Sequence, residues 1–155
     1  MTSTIIRFLN IFIAALLAGT SFGIWIGFNP LHLSPSTYVE QQQNTIRALN
    51  ALMISLVFIA TAVTIGSALL LRAHKPAFIM LLLAACLFIA CILISRFGNQ
   101  PINNSILSWK ADALPANWTD LRDRWWSFHI MRTIAELAAF GLVTWSGIYK
   151  FNNAG

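Results

Sequence analysis

The sequence predicts an all-α protein, a single-domain bundle of four transmembrane helices, on three observations. Hydrophobic residues make up 57% of the 155 residues and charged residues 10%, where a soluble domain carries about 25% charged. The mean hydropathy is +0.69. Four apolar runs, at about residues 5–28, 49–71, 76–94 and 126–149, each approach the ~20 residues that an α-helix needs to cross a hydrocarbon core.

Span one runs from Ile5 to Phe28. Arg7 followed by Phe8 to Ala18 resembles a secretory signal peptide, but the apolar run continues past Trp25 and no A-x-A site follows, so a retained span is expected. Gly19, Gly23 and Gly27 recur every fourth residue, a spacing that predicts a close-packing face toward another helix. Asn29-Pro30 ends the run.

Span two covers Leu49 to Leu71, with its helix expected to start earlier, near Ser36, ahead of Val39-Glu40 and Gln41-Gln42-Gln43. A straight helix from there is ~54 Å long, so its first turns stand in the headgroups or above them. Glu40, Gln43, Arg47 and Asn50 recur at i, i+3, i+7 and i+10, a polar stripe descending into the apolar stretch. The turn Arg72-Ala73-His74-Lys75 is short and basic.

Span three, Pro76 to Ile94, offers no polar pattern and reads as structural or lipid-facing. Its Cys86 and Cys91 are i, i+5, roughly 140° apart on a helix. They form neither a CxxC pair nor an obvious disulfide and read as small core hydrophobes, which disfavours thiol oxidoreductase chemistry. Asn99-Gln100-Pro101-Ile102-Asn103-Asn104 follows, and its proline predicts the end of the helix and a loop. Segments 29–48 and 95–125 are expected to form a polar cap on one side of the membrane. The two halves of the chain share a loose pattern of span, Asn-Pro, extramembrane segment and polar-striped helix, which suggests a duplicated hairpin.

Span four, Trp126 to Tyr149, carries the chemistry. Trp125, His129, Arg132 and Glu136 stand at i, i+4, i+7 and i+11, within a sector of about 60°. An ionisable group in hydrocarbon costs at least ~2.5–3.5 kcal/mol, so this stripe must face protein or a wet cavity. The plainest reading is an Arg132–Glu136 pair that neutralises itself, but that leaves the histidine and tryptophan unexplained. His129 has three available roles: base, metal ligand or structural hydrogen-bonding residue. A metal site with His32 and Glu40 is conceivable, but no ligand spacing supports it. A haem lacks a second axial ligand at matching depth. A proton acceptor is the favoured role, with no metal.

The helices of spans two and four both start on the long-loop side. Their N-terminal partial charges, with Arg47, Arg122, Arg124 and Arg132, favour an anion such as an enolate, phenolate or carboxylate. Trp25, Trp118, Trp125 and Trp126 can sandwich a flat apolar molecule, although Trp25 and Trp126 also suit interfacial anchoring. No phosphate loop, Rossmann fingerprint, G-x-S-x-G or HExxH is present. The net charge of +5 and pI of 9.9 come mostly from basic residues at the ends of apolar runs, which argues for membrane anchoring and against nucleic-acid binding. The compact basic turn favours a cytoplasmic location for that turn and both termini, in a multi-pass protein of a bacterial inner membrane.

The stretch Asn99-Gln100-Pro101-Ile102-Asn103-Asn104, followed by Arg124-Trp125, His129 and Arg132, resembles the DUF1772 or anthrone-oxygenase-like family of small four-span membrane proteins. Gly23 with Trp25, Asn29-Pro30 and the Gln43, Arg47, Asn50 series are similar to its first half, so the likeness covers nearly the whole chain. The resemblance implies an oxygenase without cofactor that turns a flat anthrone or quinol-like substrate into a quinone with O₂. It casts His129 as base, Arg132 and Arg47 as anion stabilisers, Glu136 as orienting partner and Trp125 as stacking surface. Asn29, Asn99, Asn103 and Asn104 become a hydrogen-bonding rim, with Gln43, Asn50 and Trp25 completing the substrate contacts. The rival from another class is a non-catalytic protein that binds a lipid, a quinone or a partner subunit.

Overall fold

A computed structural model describes residues 2–148. It is 87% helical and contains no strand among those residues. Five α-helices follow one another: α1 (Thr2–Gly27), α2 (Pro35–Leu70), α3 (Lys75–Ile94), α4 (Gln100–Ile106) and α5 (Trp118–Ile148). A 3₁₀ turn, Pro30–His32, joins α1 to α2, and a π-turn, Ser95–Asn99, joins α3 to α4.

Contacts between helices run α1 to α2, α2 to α3, α3 to α5 and α5 to α1. The bundle is therefore square in section, with α2 and α5 at opposite corners and their polar faces across the interior. Three rods, Thr4–His32, Pro35–Leu70 and Lys75–Ile106, are long and apolar enough to cross a membrane, so the chain is a multi-pass membrane protein. α5 is less apolar because Asp120, Arg122, Asp123, Arg124, Arg132 and Glu136 lie along it. Its strong packing on α3 and α1 shields the two deepest of these from lipid.

α2 is the 36-residue helix that the sequence indicates, capped by Ser34, whose side chain accepts from the Thr37 N–H, with Pro35 in the first turn. Three other expectations change. The segment from Asn99 to Asn104 is helix rather than loop, because the π-turn absorbs the proline. There the Gln100 N–H reaches back five residues to the Ser95 carbonyl, and Pro101 falls in the first turn of α4, where a missing N–H does least harm. α5 starts at Trp118, a full two turns before the expected span, and thus removes much of the presumed loop. The far end of that span, Tyr149, and the basic Lys150 lie outside the described residues. Finally, Gly19, Gly23 and Gly27 face no neighbour: a Cβ added at any of them would meet nothing within 4 Å. The close approach occurs instead at Gly98 in the π-turn, where a Cβ would stand 2.7–2.9 Å from the Phe128 ring of α5.

Two apolar clusters fill the bundle. One, with Ala14, Leu17, Ala60, Phe88 and Val143, occupies its middle and short-turn end. The other, with Tyr38, Ile46, Ile106, Trp125 and Trp126, lies toward the long-loop end. A buried polar node absent from the sequence reading joins α1 to α2: Asn10 donates to Ser67 Oγ at 3.2 Å and accepts from Thr64 Oγ1 at 2.8 Å. Such bonds hold membrane helices together where apolar contact alone gives no preference over lipid. Asn10→Ala should cost about 1–3 kcal/mol, read as a lower unfolding temperature in detergent.

Candidate functional site

The polar stripe of α5 is interior, as the cost of ionisable groups in hydrocarbon favours, and the packing sorts its members into two layers. His129 is wholly buried (0% exposed) and Trp125 and Trp126 nearly so. Their rings lie close to parallel. Trp125 stacks on His129 at 5.2 Å and 2°, and Trp126 on His129 at 5.5 Å and 19°. Arg132 Nη2 stands 3.2 Å from His129 Nδ1. A guanidinium only donates, so Nδ1 accepts and a neutral ring carries its proton on Nε2. That second nitrogen is buried and makes no hydrogen bond of good geometry, although the ring interacts with the Ser21 backbone of α1. The ring thus has its acceptor occupied and its donor turned away from the cavity lining.

In front of this layer lies a narrow cavity, with about 50 Å³ open to the centre of a water-sized sphere. Arg132, Glu136 and Trp125 reach it from α5, and Asn50 with apolar Met53 and Val57 from α2. Ser95, Asn99, Gln100 and Asn103 line it from the π-turn and α4, and Ile24 from α1. His129 is not among the lining residues. Glu136 is 1% exposed. The direct Arg132–Glu136 ion pair expected from their spacing is not formed. Among the described residues the one ion pair is Arg122–Asp123, because the Arg132 side chain turns back toward His129. Guanidinium and carboxylate remain open to the same cavity.

A carboxamide lattice holds the rim. Asn99 Nδ2 donates to the Trp125 carbonyl at 3.0 Å and Trp125 Nε1 donates to Asn103 Oδ1 at 2.7 Å. Gln100 Nε2 and Asn103 Nδ2 both donate to Asn50 Oδ1, at 2.6 and 3.4 Å. Three cavity-lining residues nevertheless keep a buried polar atom without a protein partner: Asn99 Oδ1, Arg132 Nε and Glu136 Oε2. Buried polar atoms are rarely left unsatisfied, so these three mark where a polar ligand or water belongs. Trp125→Phe removes the indole donor to Asn103 and should lower stability by about 1 kcal/mol.

Of the residues singled out in the sequence, the cavity gathers Asn50, Asn99, Asn103, Trp125, Arg132 and Glu136, with His129 behind them. The others lie elsewhere. Gln43 Nε2 donates to the carbonyls of Ile106 and Trp109, both at 2.9 Å, and ties α2 to the end of α4. Arg47 is exposed and donates to Gln43 at 3.3 Å. Asn29 is exposed and caps the 3₁₀ turn by accepting from the Leu31 N–H. Asn104 is exposed, and Trp25 packs edge-on against Phe22. Arg122 lies over the Trp118 ring at 5.1 Å, and Arg124 is exposed. His32 and Glu40 are exposed, away from the buried His129, and no three His, Cys, Asp or Glu side chains converge among the described residues.

Two residues escape the sequence reading. Gln100 lies inside the quoted motif but bonds across to α2 only because the π-turn keeps it helical. Ser21 of α1 is 0% exposed and lies near Glu136, and its Oγ, like Glu136 Oε2, has no hydrogen-bond partner. A lone serine in an apolar run carries no signal of its own.

Fold and site define a class: a helical multi-pass membrane protein that buries an acid, a guanidinium and a carboxamide lattice at one end of its bundle. The chain belongs to the anthrone oxygenase family, whose model matches residues 42–142. The matched region runs from α2 into α5 and includes every cavity-lining residue except Ile24. No curated protein and no solved structure matches the chain.

Proposed function

We propose that the protein is a cofactor-independent oxygenase that converts an anthrone-type or quinol-like aromatic substrate to a quinone with O₂. The family membership supports the oxygenase class. The observation that carries the mechanism is that a carboxylate and a guanidinium, not paired to each other, share one cavity with an indole wall.

The chemistry needs a base, an anion site and a place for dioxygen. Glu136 takes the role of base in place of His129, because it reaches the cavity while the acceptor nitrogen of His129 is held by Arg132. The Glu136 carboxylate removes a proton from the ring carbon opposite the substrate carbonyl. The negative charge then moves onto that carbonyl oxygen, where Arg132 stabilises it. The enolate is electron-rich enough to reduce O₂ itself, and a carbon–oxygen bond forms at the deprotonated carbon. Glu136 returns its proton to the peroxide. Loss of the second hydrogen from that carbon with cleavage of the O–O bond releases water and leaves the quinone carbonyl. Overall, anthrone and O₂ give anthraquinone and water, with all four electrons supplied by the substrate.

His129 is a positioning residue in this scheme: stacked beside Trp125 and Trp126, it aims Arg132. The test is oxygen uptake by the purified protein with anthrone, set beside quinone formation. One O₂ consumed per quinone formed, undiminished by chelators and with no flavin added, is the expected result. Turnover that stops on chelation or needs added flavin would overturn the absence of a cofactor, and binding of anthrone without O₂ consumption would make the protein a carrier. His129→Gln should retain at least ~10-fold more turnover than Glu136→Gln, since it loses aim and not the base. The reverse order would restore His129 as base.

A further inference from the structure

The cavity is far smaller than its substrate. Sites for drug-sized ligands have volumes of roughly 300–1,000 Å³, against the 50 Å³ found here, so one wall must move. The lining residues show which. Ile24, Ile46, Met53, Val57, Asn99, Asn103, Trp125 and Glu136 are buried. By contrast, Ile54 of α2 is 39% exposed, and Thr45, Leu49, Asn50, Ser95, Gln100 and Arg132 are part-exposed. Asn50, Ile54, Ser95 and Gln100 lie on the two edges of one seam, where α2 runs beside the rod formed by α3, the π-turn and α4. The hydrogen bond from Gln100 to Asn50, at 2.6 Å, crosses that seam, and the bond from Asn103 to the same oxygen is a long 3.4 Å.

The seam faces lipid. No charged residue stands between Arg47 and Arg72 or between Lys75 and Arg96. Ile54 lies two turns, about 10 Å, inward from Arg47. The large apolar side chains Phe58, Leu93 and Phe97 on the same two rods are 51–74% exposed, a surface that only hydrocarbon would cover. Arg96, at the level of Ser95, extends its guanidinium over the Phe97 ring at 5.9 Å, the posture of a cation reaching from acyl chains toward headgroups.

We propose that the site fills sideways from the bilayer, through the seam between α2 and the π-turn, with the Asn50–Gln100 hydrogen bond as its latch. Resting on the oxygenase reading, this gives the substrate class as a flat, membrane-dissolved apolar molecule that never passes through bulk water on its way in. The moving part is the α2 edge of the seam, since Gly98 and Asn99 of the π-turn are packed and bonded against α5. O₂, itself apolar, has the same route.

Spin labelling tests the route without any turnover. A nitroxide is attached at Ile54→Cys in a Cys86→Ser background, Cys91 being buried, and the protein is reconstituted in phosphatidylcholine vesicles. Its relaxation should be enhanced several-fold more by O₂ than by a water-soluble nickel chelate, and anthraquinone dissolved in the vesicles should slow its tumbling. Relaxation dominated by the nickel chelate, or a spectrum unchanged by anthraquinone, would overturn side access. A second nitroxide at Ser95→Cys reports the width of the seam. Dipolar broadening between the two labels should weaken when the latch is removed by Gln100→Leu, or from the other side by Asn50→Leu. Broadening unchanged in both variants would remove the latch from the proposal. A failure here leaves the oxygenase reading standing, whereas a protein that consumes no O₂ with anthrone fails that reading and leaves these spectra as they are.

Discussion

Glu136→Gln is expected to lose turnover by about 10²–10⁴-fold, the usual contribution of a positioned general base, while the protein stays folded. The amide has nearly the shape of the carboxylate and keeps an oxygen acceptor, so packing on α1 and α3 is unaffected. Arg132 does not depend on Glu136 for an acceptor, because His129 Nδ1 takes one of its N–H groups at 3.2 Å. The loss should therefore appear in kcat, with anthrone binding largely retained and the unfolding temperature near that of the wild type. Oxygen-electrode rates and tryptophan quenching by bound anthraquinone separate the two quantities. A Glu136→Gln protein that turns over normally would exclude the carboxylate as base. One that no longer folds would show that the charge is structural. Glu136→Asp provides the graded control: it keeps the acid but withdraws it by one methylene, and partial activity is expected.

The largest effect on stability should come from Gly98→Val. Any Cβ there meets Phe128 Cγ, Cδ1 and Cδ2 at 2.7–2.9 Å, and an aromatic ring held on a packed helix cannot yield as the end of a flexible chain can. Overpacking of this kind costs typically about 1–3 kcal/mol, and the branched side chain adds further contacts. The consequences reach the site, since the next residue is Asn99, which donates to the Trp125 carbonyl at 3.0 Å. Thermal unfolding in detergent should show a clear drop for Gly98→Ala and a larger one for Gly98→Val. Combining Gly98→Ala with Phe128→Leu should recover part of the loss, because the two changes share one contact. If Gly98→Ala is as stable as wild type, the helices can separate there at little cost, and the π-turn is not wedged against α5.

The sequence by itself determined the class of the fold and the polar face of α5. Four apolar runs of membrane-crossing length admit few structures other than a helical bundle, since hydrocarbon leaves no backbone group unpaired. The spacing of Trp125, His129, Arg132 and Glu136 put them on one face, since residues three and four apart on a helix must share a side. Asn50 came from the periodic stripe of α2, whereas Asn99 and Asn103 read locally as loop residues and entered as a rim only through the family resemblance. What the sequence could not convey was which members of a stripe look into the cavity and which stand behind it. His129 and Glu136 differ by less than two helical turns, yet one is buried beside two stacked tryptophans and the other lines the cavity.

Tertiary structure alone also decided the partners. Spacing of i, i+4 permits an Arg132–Glu136 pair, but rotamer and neighbour sent the guanidinium to His129 instead. Pro101 signals a helix end in a simple local reading, but the π-turn before it, packed on α5 at Gly98, places it in the first turn of α4 and the segment stays helical. Gln43 and Arg47 follow the same periodicity as Asn50, but Gln43 bonds to the end of α4 and Arg47 is exposed. Local periodicity fixes the face of a helix. Where that face points, and which of its groups is left with an unfilled hydrogen bond, depends on residues distant in the chain.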